Sequence, residues 1–376
     1  MTETTNDLLD GVDPSPLFTP FELGGLTLSN RFVMAPMTRG KSPEGIAGDD
    51  VVTYYARRAA SLGLIITEGT YINHPAAWGY ADVPHFYGDD AFEGWGKVVS
   101  SVHAEGGLIF PQLWHLGARR VGTGGPETNE GILSPSGIGL DGSPIGAAAS
   151  KLDLDGVVGA YVQAAADAQT LGFDGVELHG AHGYLLDQFH WTATNHRDDT
   201  YGGDLADRIR LSVEVVAGIR AAVGPDFPIC FRYSQWKGGH YDARNFFTPG
   251  ELEQFLVPLT EAGVSVWHPS TRRYWDEAFD GSSRTLAGWT KDLTDIPTIT
   301  VGSVGVGSPY RAGAEMDKEV VSSSLAPLLE LFENGEFDLV AIGRAVLSDA
   351  DWTTKVHNGD AASITTYLKE HEYVLD

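Results

Sequence analysis

Residues 153–180 read DLDGVVGAYVQAAADAQTLGFDGVELHG. A helical pattern fills Asp153–Leu171, and a short apolar run, Gly172–Gly180, follows it and closes on glycine. Such a run reads as a parallel strand buried on both faces, not as an alternating half-exposed one. Working outward, Arg31–Thr38, Leu62–Gly69 and Gly107–His115 repeat the strand pattern before it. Pro228–Ser234, Val264–Ser270, Ile296–Ser303 and Phe337–Arg344 repeat it after. Helical patterns fall between them at Asp49–Ser61, Asp89–Glu105, Leu205–Val223 and Thr248–Ala262. Thr248-Pro249-Gly250-Glu251 is a helix start, with Thr as cap, Pro at the first position and Glu three residues on.

Eight strand–helix alternations predict an α/β fold, a (β/α)8 TIM barrel. A doubly wound open sheet gives a similar alternation and is the second reading. Leu17–Asn30, with two short apolar runs around Gly24-Gly25, predicts an N-terminal hairpin that plugs the barrel floor. Two long loops are expected, Arg119–Ser150 after the third strand and Thr271–Asp295 after the sixth. Both leave the mouth of a barrel, where active sites sit. Gly305–Ser324 is a further insertion without an assignment. Residues 1–16 form an N-terminal tail, and 17–376 a single barrel domain.

The chain carries 25 Lys+Arg against 51 Asp+Glu, a net charge of −26. That balance argues against nucleic acid and against an anionic membrane surface as partners. It suits ordinary solubility; a high-salt cytoplasm, which screens self-repulsion, is the sharper alternative. Cys230 is the single cysteine, so no intramolecular disulfide and no Cys-built metal or iron–sulfur site can form. No run approaches the ~18 apolar residues of a membrane helix, and the first residues are acidic and polar. A cytoplasmic location is the expectation.

Chemistry in a barrel collects where strands end. The fourth strand ends in His179-Gly180-Ala181-His182-Gly183-Tyr184. The two histidines could ligate a metal, with His115 or Glu177 as third ligand, as in a Zn-dependent hydrolase. They could instead clamp an anionic or carbonyl oxygen, with Tyr184 donating a proton beside them. Or they could simply be satisfied within loops. Gly302-Ser303 and Gly343-Arg344 end the last two strands, the usual barrel phosphate site, although these glycines could merely permit tight turns. Arg232, at the end of the fifth strand, needs an anionic complement. Glu177, Glu68 or a cofactor that becomes negatively charged could supply it. Gln112 can offer a donor and an acceptor to one heterocyclic edge. With Arg232 and the small Gly69 it suits a flat polar ring system.

Five segments then carry a family resemblance: NRFVMAPMTR (30–39), QLWH (112–115), HGAHGYLLDQF (179–189), NHRDDTYGG (195–203) and AIGR (341–344). Together they resemble the old yellow enzyme family of FMN-dependent ene-reductases, from roughly Leu17 to Trp352. The resemblance implies an FMN-containing barrel that takes hydride from NADH or NADPH and passes it through flavin N5 to an activated C=C bond. It implies that Pro36 and Thr38 lie along the flavin and that Gly69 leaves room for its pyrimidine edge. Gln112 would bind that edge and Arg232 would face N1 and C2=O. Gly302, Ser303, Gly343 and Arg344 would hold the phosphate. His179 and His182 would bind the substrate oxygen, Tyr184 would deliver a proton, and Trp114 would line the substrate pocket.

Three features depart from the family pattern. His115-Leu116-Gly117-Ala118-Arg119-Arg120 is one residue longer than the usual His-x-Gly-Arg, which leaves Arg119 without a role. Thr38 stands where one branch has Cys, and His182 where another has Asn. Substrate and oligomeric state are therefore not inherited from either branch. The aromatic and Arg-rich stretch 267–279 suggests a surface or subunit contact, or else a lid whose Arg272 or Arg273 meets an acidic substrate. The alternative functions are flavin chemistry on amines or dienoyl substrates, the Zn hydrolase, and a non-catalytic flavin protein.

Overall fold

The computed structural model describes residues 7–9, 11–120, 131–307 and 323–376. Strands β1 (Phe21–Leu23) and β2 (Leu26–Leu28) pair antiparallel. Gly24 (φ 55°) and Gly25 (φ 87°) make the turn, a left-handed conformation that favours glycine. Eight parallel strands follow: β3 (Phe32–Met34), β4 (Leu64–Tyr71), β5 (Ile109–Trp114), β6 (Val176–His182), β7 (Ile229–Lys237), β8 (Val266–Pro269), β9 (Ile299–Val301) and β10 (Leu339–Ile342). Their order is β8-β7-β6-β5-β4-β3-β10-β9. Parallel bridges Trp267–Thr298 and Ser270–Val301 join the two ends, so the sheet closes into a barrel. All eight fall inside the apolar runs read from the sequence, except that β4, β6 and β7 extend past them toward the mouth.

The barrel interior is one apolar cluster containing Val33, Ala35, Leu64, Ile66, Phe110, Cys230, Val266, Ile299, Leu339 and Ala341. Leu23 and Leu28 of the hairpin belong to the same cluster. The hairpin therefore closes the floor, as expected.

Helices α1 (Asp49–Ala59), α2 (Asp89–Ala104), α3 (Lys151–Leu171), α4 (Leu185–His190), α5 (Leu205–Arg208), α6 (Arg210–Val223), α7 (Pro249–Ala262), α8 (Leu286–Thr294), α9 (Ala326–Glu333), α10 (Arg344–Ser348) and α11 (Trp352–His357) occupy the intervals. Four of the five expected helices are present as single elements, and the fifth, 205–223, is present in two pieces. Ser150 caps α3 in a capping box with Asp153, and Gly172 (φ 87°) ends it. Thr248 caps α7 by accepting from the Glu251 N–H.

Two expectations are corrected. The interval 271–295 is not one long loop, because its second half is α8, capped by Thr285. Helix α8 carries Gly288, which weakens the helical signal. A Cβ at Gly288 would lie 1.8 Å from Glu336 Oε2, and that oxygen accepts from Thr285 N and Oγ1. Glycine is there for the clamp. The helical stretch 205–223 is split at Ile209 into α5 and α6. Most of the 305–324 insertion, and residues 121–130 of the 119–150 loop, lie outside the described residues.

Candidate active site

The register of the barrel shifts twice at its mouth, between Ile66 and Gly69 on β4–β5 and between Gly180 and His182 on β6–β7. Such irregularities re-aim side chains at the end of a strand. They sit beside a cavity of about 400 Å³, within the usual range for a cofactor site. Pro36, Thr38, Gln112 and Arg232 line its middle walls. Gly302, Ser303, Gly343 and Arg344 line it where β9 and β10 end, and Trp114, His179, His182 and Tyr184 where β5 and β6 end. Twelve of the thirteen residues singled out from the sequence thus share one cavity.

Gly69 is the exception, since it is not on the cavity wall. A Cβ there would meet Trp114 at 2.5 Å and Gln112 Oε1 at 3.2 Å. Its smallness seats those two side chains, which do line the cavity.

Arg232 is 6 % exposed, and its Nη2 donates to Ser270 Oγ at 3.2 Å. Its Nε has no hydrogen-bond partner among the described residues. Glu177 and Glu68 do not bond to it. Glu177 instead accepts from Gln112 Nε2 (2.8 Å) and lies 2.6 Å from His268 Nδ1. Burial alone would raise the Glu177 carboxyl, but His268, with Arg232 and Gln112, holds it well below the usual carboxylate range. The neighbourhood of Arg232 is therefore cationic at its surface, with the compensating charge one layer deeper. Glu68 is tied elsewhere, accepting the Arg39 and Gly40 N–H groups. A flat ligand that gathers negative charge on one edge fits this wall: Arg232 Nε awaits an acceptor, and Gln112 still has its carbonyl.

Both histidines are held in defined orientations. The Ala181 N–H approaches His179 Nδ1 at 3.4 Å, which assigns the ring proton to Nε2. His182 (φ 63°) places Nε2 2.8 Å from Ser270 Oγ. Ser270 accepts from Arg232, so its hydroxyl proton can go to His182 Nε2, leaving Nδ1 as the donor. The two rings lie 5.0 Å apart at 88°. Trp236 stacks on His182 at 4.2 Å, and Trp114 on His179 at 5.9 Å. Burial lowers the pKa of both rings well below the ordinary value, reinforced by Arg232 and, for His182, by His179. They are neutral N–H donors at neutral pH.

The proposed third metal ligands do not reach this pair. His115 uses Nε2 on His74 (3.0 Å) and accepts the Gly117 N–H on Nδ1, and Glu177 is engaged as above. Among the described residues, the group with metal-like ligand spacing is Glu177, Cys230 and His268, whose polar atoms already bond one another.

Tyr184 meets Trp114 edge-on (4.8 Å, 90°) and His179 (4.8 Å, 69°). Burial, then Tyr80, raise its phenol, and Arg119 draws it back. Tyr80, Trp236 and Ser270 line the wall without having been singled out from the sequence, and Arg119, left without a role there, joins them. Ser270 closes a strand run already identified, so a search of strand ends for hydroxyls would have found it. Tyr80 comes from a loop and Trp236 from the extension of β7, neither with a motif. Arg272 also lines the cavity, against the Tyr241 ring at 4.1 Å, while Arg273 is exposed.

Comparison with known proteins finds relatives both in sequence and in structure. The chain matches the NADH:flavin oxidoreductase / NADH oxidase family over residues 16–362. It is 40% identical to 12-oxophytodienoate reductase 7 of Oryza sativa subsp. japonica, covering 96% of this chain and 92% of that protein. It is 32% identical to an NADH oxidase of Thermoanaerobacter brockii, covering 91% of this chain but 51% of that protein, so the chain spans about half its length. Among solved structures, morphinone reductase in complex with tetrahydroNAD superposes with a TM-score of 0.79 at 28% identity, over 95% of this chain and 94% of that one. No helix among the described residues is long and apolar enough to cross a membrane.

Proposed function

The chain belongs to the NADH:flavin oxidoreductase / NADH oxidase family, the old yellow enzymes, and from that premise we propose how its own residues carry out the reaction. The enzyme is an FMN-dependent oxidoreductase that reduces activated C=C bonds of unsaturated carbonyl or nitro compounds. NAD(P)H and the alkene are its small-molecule partners. The observation that carries the residue assignment is the convergence of two neutral histidine donors and one phenol on a single wall, around the corner from a buried arginine with an unused N–H.

Gly302, Ser303, Gly343 and Arg344 would hold the FMN phosphate. Pro36 and Thr38 would flank the ring, Gln112 would bind its pyrimidine edge, and Arg232 would meet the edge that gains charge on reduction. When bound, FMN supplies a hydride acceptor and donor that both substrates use in turn.

His179 Nε2–H and His182 Nδ1–H bind the carbonyl or nitro oxygen of the alkene. Being neutral, they add no charge to the resting site, yet they strengthen as negative charge grows on that oxygen. Ser270 fixes the donor end of His182 and links it to Arg232. Tyr184 stays protonated at neutral pH and hands its O–H proton to the substrate α-carbon. Trp114, seated by Gly69 and stacked on Tyr71 (5.4 Å) and Tyr80 (5.7 Å), shapes the apolar wall against which the alkene rests. The single buried Cys230 and the acidic surface suit a reducing, cytoplasmic setting.

The test is anaerobic. Protein loaded with FMN should bleach with NADH or NADPH and regain colour when an enone is added. A colourless protein that refuses FMN would end this reading. His179→Ala should weaken binding of a phenol, read from its long-wavelength charge-transfer band; an unchanged titration would remove His179 from the oxyanion clamp.

A further inference from the structure

Arg119 stands in the 3-10 turn Gly117–Arg120 after β5. Its side chain crosses the cavity wall. Nη1 donates to the Gly238 carbonyl at 3.0 Å, and the guanidinium lies 5.0 Å from the centre of the Tyr184 ring. Gly238 belongs to that seat, because a Cβ there would come within 2.4 Å of Nη1. Among the described residues no Asp or Glu forms an ion pair with Arg119. Glu372, the acid on the cavity wall, is engaged by the Tyr367 hydroxyl. A half-buried cation with no carboxylate among the described residues is costly unless something negative meets it.

We propose that Arg119 is a positioning residue for the proton step: its charge stabilises the phenolate that Tyr184 becomes when its O–H proton leaves for the substrate. This rests on Tyr184 being the proton donor. In the step, the Tyr184 O–H bond breaks and its electron pair stays on the phenolate oxygen. The carbanion pair at the α-carbon forms the new C–H bond, and solvent water later returns a proton to the phenolate. Arg119 stays protonated throughout.

The electrostatics fit this role. Burial draws the Arg119 guanidinium down, and the charge that Tyr184 and Tyr80 carry as phenolates outweighs that and holds its proton more tightly than usual. On the other side, Tyr184 is pushed up by burial, Tyr80 and Tyr71, and Arg119 is the group that pulls it back. His179 and Trp114 complete its surroundings and are neutral. A fixed cation aimed where negative charge develops lowers the barrier without reorganising. A permanent carboxylate partner would cancel the field at Tyr184, and none is found among the described residues.

A nitroalkene separates the two chemical steps, because hydride addition leaves a nitronate stable enough to be seen before it is protonated. Pre-reduced holoenzyme is mixed anaerobically with β-nitrostyrene, following flavin colour for the hydride step and nitronate absorbance for the proton step. Neither this probe nor 2-cyclohexenone carries a carboxylate. Arg119→Met should leave the hydride step nearly unchanged and slow protonation about tenfold, the equivalent of one pKa unit. Arg119→Lys should recover most of that rate. Gly238→Ala, which keeps the arginine but displaces it, should behave like Arg119→Met. In a Tyr184→Phe background, Arg119→Met should add nothing.

Native protonation by Arg119→Met alongside slow protonation by Tyr184→Phe would overturn the role of Arg119 and leave Tyr184 in place. Equal loss in both steps, or additive losses in the double variant, would also overturn it, as the signature of a structural residue. A raised KM for unsaturated acids, with neutral probes unaffected, would make Arg119 a substrate-carboxylate receptor instead. Native protonation by Tyr184→Phe would sink the underlying assignment.

Discussion

Glu68 shows how one buried side chain can shape a site it does not line. Its Oε2 accepts the Arg39 N–H (2.8 Å) and the Gly40 N–H (3.0 Å), which holds the backbone just past Thr38. Burial raises its pKa from 4.5 to about 7, against the pull of Gly40 and Arg39. The folded chain therefore binds this proton more tightly than the unfolded chain. The stability contributed is full below pH 4.5 and is lost as pH rises through about 7. Glu68→Gln keeps an acceptor for both N–H groups and removes the ionisation. Its melting temperature should fall less than the native one between about pH 5 and pH 8. Parallel pH profiles in a thermal scan would show that Glu68 does not titrate there.

At the scale of elements, the working end of β6 depends on a buried ion pair between α4 and β7. Asp187 and Lys237 meet at 3.0 Å with neither side chain exposed. Asp187 Oδ2 also accepts the Gly183 N–H at 2.7 Å, and Lys237 Nζ donates to the Ser234 and Gln235 carbonyls. His182 (φ 63°) and Gly183 (φ 80°) form the left-handed turn thus pinned, and Tyr184 leaves it as the cap of α4. Lys237→Met leaves Asp187 buried without its cation and should cost about 3–5 kcal/mol in urea unfolding. Adding Asp187→Asn should return part of that loss, since no lone charge remains. A single variant within 1 kcal/mol of native would show that the pair is not what holds the turn.

Across the whole molecule, charge is sorted by depth. The chain is acidic overall at −26. Yet the cavity is lined by Arg39, Arg119, Arg232, Arg272 and Arg344 against one acid, Glu372. Anionic cofactors therefore meet a basic interior beneath an acidic exterior. The exterior charges repel one another over a Debye length of about 10 Å at 0.1 M salt and about 3 Å at 1 M. The melting temperature should rise between low and molar NaCl as that repulsion is screened. A flat or falling curve would mean that the surface charges do not limit stability, and would count against adaptation to high salt.

The chain by itself determined the eight strands, the floor hairpin and most of the cavity wall. Each rests on a local cause: continuous apolar runs, caps such as Ser150 and Thr248, and strand-end residues that a plain core would not carry. The (β/α)8 pattern places all strand ends on one face, so twelve of thirteen residues named from strand ends and motifs converged without any knowledge of distance. What only the tertiary structure decided involves pairs far apart in the chain. Gly69 serves Trp114 and Gln112, Ser270 joins His182 to Arg232, and Gly238 seats Arg119 against Tyr184. None of these has a periodicity or spacing, because each depends on how neighbouring strands are staggered and where their register shifts. Helix α8 was missed for the same reason: its Gly288 is dictated by Glu336, a residue 48 positions away that no window of local sequence contains.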